Sequence, residues 1–132
     1  ERAGQVQGYA SCNWFKPRPA YRYTAEDAIY VAPETMGQGV GSRLLEALCA
    51  EAERRGVRRM IALVGDSANQ GSLAVHRRCG FQDAGVLRAC GFKLGRWLDV
   101  VLLDKALGEG HHTPPDASHD CGASPQPVLD KP

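Results

Sequence analysis

The chain of 132 residues and 14.3 kDa is one domain's worth of sequence. Its 43% hydrophobic and 23% charged residues lie near the globular average, which excludes wholesale disorder. A net charge of +1 leaves no field to draw nucleic acid or a membrane surface, and no apolar run nears the roughly 20 residues of a membrane span.

In chain order, Gln5 to Asn13 reads as a strand. Trp14 to Ala20 holds Pro17 and Pro19, which cannot donate to a ladder, so it reads as a loop. Ala28 to Val31 is a short β-rich run closed by Pro33. Gly37, Gly39 and Gly41 follow at alternate positions. From Ser42 to Arg55, Leu44, Leu45, Leu48 and Ala52 share one helical face, and Arg54-Arg55-Gly56 is a good helix end. Met60 to Val64 is an unbroken apolar run, suited to a strand covered on both faces. Ser72 to Cys79 suits two helical turns ended by Gly80. Phe81 to Cys90 and Trp97 to Leu103 read as two strands joined by a turn around Gly95. Strands alternating with helices imply an α/β fold with at least one parallel pair.

From Gly108 onward prolines and histidines concentrate and aromatic residues vanish. Such a stretch buries too little to offset its ordering entropy, so 108–132 is expected as a disordered tail and 1–107 as the folded part. The cysteines, at 12, 49, 79, 90 and 121, are odd in number and form no CxxC. That favours reduced thiols and a cytoplasmic setting.

The most informative passage is Val31 to Leu44, where a strand gives way to a glycine-rich loop and then to a helix. A helix start leaves about four backbone N–H groups without partners and carries roughly half a positive charge. Glycines let an anionic ligand approach that backbone. A Walker loop is excluded, because Gly41 is followed by Ser42 with no lysine, and the GxGxG pattern is not the dinucleotide GxGxxG.

Met36-Gly37-Gln38-Gly39-Val40-Gly41 resembles the acyl-coenzyme A loop of the GCN5-related N-acetyltransferases, usually Arg/Gln-x-x-Gly-x-Gly/Ala. Met36 stands where Arg or Gln is usual; the backbone donors are unaffected. Asn69 to Phe81, with its Gly80-Phe81 ending, is similar to that family's second motif, and the spacing leaves room for the intervening helix and strand. Lys16 to Tyr21, Tyr23 to Val31, and Leu87 through Trp97 to Val100 resemble phosphinothricin and methionine sulfoximine acetyltransferases. The resemblance spans residues 1 to about 107 and implies a mixed, mostly antiparallel sheet with flanking helices. It also implies a partial domain, because the family's first strand, two helices and second strand would precede Glu1.

The resemblance implies acetyl-coenzyme A as co-substrate, a small amino-acid-like amine as acceptor, and a homodimer. Glu26 matches the family's general base, and His76 stands where an acid near the sulfur is found. Imidazole chemistry suits that role. Val31, Gln38, Gly39, Val40, Gly41 and Ser42 would hold the pantetheine arm and pyrophosphate, with Asn69 and Ser72 beside them. Lys16, Arg18 and Tyr21 would form part of an acidic-acceptor site. No metal is expected, since His111-His112 and His119-Cys121 lack zinc-like spacing. Arg54, Arg55, Arg58 and Arg59 have no interleaved aromatic platform, so no nucleic-acid partner is expected. Two readings stay open: an acetyltransferase, or a coenzyme A-binding module that does not turn over without a partner chain.

Overall fold

The computed structural model describes residues 8–32, 37–65, 70–115 and 128–129. Gly8–Trp14 forms β1, and the prolines after it keep the chain out of a ladder until a single 3₁₀ turn at Pro19–Tyr21. β2 then runs Thr24–Val31, starting earlier than the Ala28–Val31 run expected from sequence. The amphipathic helix is α1, Val40–Arg54, with Leu44, Leu45, Leu48 and Ala52 all buried. It ends where Gly56 turns the chain at φ +91°. β3 (Arg59–Val64), α2 (Gln70–Arg78), β4 (Gln82–Lys93) and β5 (Arg96–Ala106) follow. Leu94 and Gly95, both at positive φ, make the β4–β5 turn of the kind that matches strand twist. A two-residue β6, Val128–Leu129, pairs antiparallel with Tyr9 and Ala10.

The six strands lie in the order β4-β5-β3-β2-β1-β6. β2 and β3 are parallel and the other pairings are antiparallel, which is the mixed α/β architecture expected. α1 packs on β1 and β2 and touches α2. Leu45 and Leu48 of α1 meet Met60 of β3 and Leu103 of β5 in the core, all nearly inaccessible to solvent.

Two expectations need correcting. Met60–Val64 is covered on one face only: Met60, Ala62 and Val64 are buried, whereas Ile61 is half-buried and Leu63 exposed. An unbroken apolar run therefore hides an ordinary alternation. The second concerns the end of the fold. Composition places residues 108–115 in the tail, yet turns there are held by Arg58, whose guanidinium donates to the carbonyls of Gly110 (2.8 Å) and Pro114 (3.0 Å) and to the Thr113 hydroxyl (3.1 Å). A five-donor guanidinium can tie several carbonyls at once, which a compositional reading of the tail does not register. Residues 116–127 and 130–132 lie outside the described residues.

Leu45, fully buried at the centre of α1, tests this core. Leu45→Ala is expected to lower stability by about 2–5 kcal/mol, read as a fall in the urea midpoint at unchanged slope.

Candidate active site

Three features of local sequence converge on one cavity. Gly37 and Gly39 sit at φ +85° and +79°, where a side chain would be strained, and they bring the chain into α1 without any capping side chain. The N–H groups of Val40, Gly41 and Ser42 therefore have no intrahelical acceptor; the first helical bond is Arg43 N–H to the Gly39 carbonyl at 3.1 Å. Next to this helix start, β2 loses its neighbour. The parallel pairing with β3 runs from Thr24–Arg59 to Glu26–Ile61 and then stops. Beyond that point β3 pairs only with β5, and Ile29 to Val31 of β2 line an opening. α2 forms the opposite wall through Ser72, Val75, His76 and Arg78. The cavity holds about 550 Å³, within the range of small-molecule and cofactor sites.

Gly39, Val40, Gly41, Ser42, Val31, Ser72 and His76, all singled out in the sequence, line this space. Gly41 packs closely on the wall: a Cβ there would sit in contact with methyls of Val31 and Val75 at 3.4 Å. Gln38 lies just outside, its carbonyl accepting from the Arg43 guanidinium at 3.1 Å. Asn69 lies outside the described residues.

Glu26 occupies a different position. Ala25 and Asp27 point to the helix-covered face, so by strand alternation Glu26 points to the other, at the last parallel pair before the strands part. It is half-buried, and burial, followed by the charge of Asp27, raises its carboxyl above the usual value. Glu26 and His76 thus flank β2 from opposite faces. Lys16, Arg18 and Tyr21 are exposed on the loop that leads into β2. The Lys16 ammonium lies 5.6 Å from the Tyr21 ring centroid. They sit at the Thr24 end of the strand, and the cavity lies at its Val31 end, so the fold does not bring them to the cavity wall.

The sequence reading missed Asp27 and Arg78. Asp27 is buried with His76, their side chains 5% and 4% exposed, and a carboxylate oxygen lies 3.0 Å from His76 Nε2. The available signal was the period-two pattern of β2, which puts Asp27 on the same face as Ala25 and Ile29. Arg78 lines the cavity and reaches the Ser42 hydroxyl at 3.4 Å, leaving a cation beside the helix start. For His76, burial alone would depress the imidazole's proton affinity. The hydrogen bond and charge of Asp27, with the Ser72 carbonyl, outweigh it and raise the pKa above 6.5.

The acetyltransferase (GNAT) family model matches residues 1–81, and the chain belongs to that family. It is 50% identical over 116 residues to the phosphinothricin N-acetyltransferase of Alcaligenes faecalis, covering 88% of this chain and 59% of that protein. It is 37% identical to the L-methionine sulfoximine/L-methionine sulfone acetyltransferase of Pseudomonas aeruginosa, covering 86% of this chain and 66% of that one. The crystal structure of a GNAT superfamily phosphinothricin acetyltransferase from Sinorhizobium meliloti in complex with AcCoA superposes with a TM-score of 0.85 at 43% identity, over 90% of this chain and 64% of that one. The chain thus spans less than two thirds of the length of each of these relatives.

The raised imidazole gives a sign to the pH dependence of folding. The Asp27–His76 contribution is complete below the unfolded histidine value of about 6.5 and is lost as pH rises through the higher folded value. Urea midpoints measured across this window are expected to fall toward alkaline pH in the wild type. His76→Gln should start lower and lack that step.

Proposed function

We propose that the chain catalyses transfer of an acetyl group from acetyl-coenzyme A to the amine of a small amino-acid-like acceptor of the phosphinothricin or methionine sulfoximine type. One observation carries the reading: a single cavity joins the uncapped start of α1 to the open edge of β2. The helix start, with the Arg78 cation, suits a diphosphate, and the mostly apolar channel along Ile29 to Val31 suits an extended pantetheine arm. The residues therefore fit the group. The names of the similar proteins, and the AcCoA in the Sinorhizobium meliloti structure, support the choice of acceptor and donor.

When bound, the coenzyme supplies an activated thioester carbonyl. Gln38 to Ser42 hold its phosphate end, and the free edge of β2 at Val31 offers backbone groups to its arm and carbonyl. Glu26, at the point where the strands part, takes the ammonium proton of the acceptor directly or through a water. Its raised carboxyl still accepts that proton near neutral pH. The C–N bond then forms as the C–S bond breaks, and the thiolate takes a proton from solvent. Lys16, Arg18 and Tyr21 supply acceptor contacts from the loop that precedes Glu26. The reading includes a homodimer, supported by the exposed Phe92, Leu94 and Trp97 of the β4–β5 hairpin, and a cytoplasmic setting, supported by the free thiols of Cys12, Cys49, Cys79 and Cys90. Among the described residues no helix is long and apolar enough to cross a membrane.

The test is thiol release from acetyl-coenzyme A with phosphinothricin or methionine sulfoximine as acceptor. Release dependent on the acceptor is expected. Glu26→Gln should lower kcat about 100-fold or more while leaving coenzyme affinity within about twofold. Coenzyme binding by calorimetry without release over a panel of amino acids would overturn turnover in favour of a binding module.

A further inference from the structure

Among the described ion pairs, Asp27–His76 is the one with both side chains almost closed to solvent. Its geometry assigns the protons. His76 Nδ1 lies 2.8 Å from the Ser72 carbonyl oxygen, one helical turn back on α2. Nε2 lies 3.0 and 3.3 Å from the two oxygens of Asp27. A carbonyl oxygen can only accept, so Nδ1 donates to Ser72, and Nε2 donates as well when it faces an ionised carboxylate. The ring also meets Phe81 edge to face, with centroids 5.0 Å apart. His76 therefore lines the cavity with neither a lone pair nor an unengaged N–H to offer a ligand there. Giving a proton away would break a bond to Ser72 or Asp27 inside the core.

We propose that Asp27 is a positioning residue that fixes His76 as an imidazolium, and that this pair braces α2 against β2 and sets the width of the cavity without supplying a proton to the departing sulfur. The brace spans the two walls that would enclose the pantetheine arm: Ile29 and Val31 follow Asp27 on β2, and Ser72 and Val75 flank His76 on α2. Removing either partner leaves the other buried without its counter-charge, and the walls lose their fixed separation. Of the other titratable groups near the pair, Glu26 adjoins Asp27 on β2 but points to the opposite face, its carboxyl raised by burial and by the Asp27 charge, and the three buried thiols stay protonated in the neutral range. Burial pushes the Cys12 thiol of β1 up to about 11 and the Cys49 thiol of α1 to about 12. Cys79, at the end of α2, is raised as well. The cations acting there are Arg55 on Cys12, Lys105 on Cys49, and Lys105 and Arg78 on Cys79, and Lys105 also donates to the Cys79 carbonyl at 2.7 Å.

The proposal rests on the acyl-transfer reading only for its kinetic arm. The structural arm is nitrogen-15 NMR of the full chain, with the His76 ring assigned among the four histidines by its through-space contact with the Phe81 ring. Both ring nitrogens should carry hydrogen through neutral pH in the wild type, and Asp27→Asn should leave one ring nitrogen unprotonated at neutral pH, because burial without the counter-charge disfavours the imidazolium. The kinetic arm compares coenzyme affinity with turnover. Asp27→Asn and His76→Gln should each weaken acetyl-coenzyme A binding about tenfold, with the pH limb of kcat in the same place and Asp27→Glu partly restoring affinity. An unprotonated ring nitrogen in the wild type at neutral pH would overturn the proposal even if both variants fail to fold. So would a His76→Gln enzyme that keeps its coenzyme affinity but loses kcat and a pH limb. A wild type that neither binds nor consumes acetyl-coenzyme A would instead remove the acyl-transfer reading, and the NMR arm would still decide the brace.

Discussion

β2 and β3 hydrogen-bond as a parallel pair from Thr24–Arg59 to Glu26–Ile61 and then separate. That short parallel contact shapes the rest of the site. A strand that parts from its neighbour exposes backbone donors and acceptors, and these need another partner or a ligand. The split also fixes which residues can meet. Residues of β2 beyond Glu26 border the opening, and Glu26 lies at its apex. α1 starts beside the same opening, since Gly39, Val40 and Gly41 line it together with Ile29 to Val31. An open strand edge and an uncapped helix start thus face one space, and both present backbone groups rather than side chains.

This arrangement explains how much of the site the sequence reveals. Backbone-built features leave a sharp trace, because the left-handed positions at Gly37 and Gly39 favour glycine over any other residue. Side-chain features are less visible. Asp27 escaped because the strand was expected to begin at Ala28, one residue too late for its alternation to be read. Even then, an aspartate facing a core becomes intelligible only once α2 brings His76 to it. Lys16, Arg18 and Tyr21 are legible only through the resemblance, which makes them acceptor contacts, and the length of β2 sets them at the strand end opposite the glycine loop. At Met60–Val64 an apolar run cannot say which of its faces will be covered, because Leu63 is as apolar as Val64.

The interior combines two kinds of stabilisation. Most of it is aliphatic packing of α1 on the sheet, which is tolerant of chemistry and demanding of volume. The carboxylate–imidazole contact is different in kind. It contributes little through area, and its cost on disruption is large, because a lone charge cannot reach water from that depth. Its place at the cavity wall, rather than at the centre of the core, ties the spacing of β2 and α2 to a directional bond instead of to interchangeable methyl groups.

The outer edge of the hairpin follows another logic. β4 borders the sheet, and its pairing with β5 shifts between Asp83 and Gly85 and again between Leu87 and Gly91. At the second shift Ala89 takes a positive φ and its N–H turns to the Asp99 carboxylate at 2.9 Å. No regular stretch of the ladder exceeds three residue pairs. A foreign strand seeking to extend the sheet there would fall out of step almost at once, so the border resists fibril-like growth despite its length. A partner meeting this hairpin would then be selected by the shape of its aromatic face, which is selective, rather than by main-chain templating, which accepts almost any sequence.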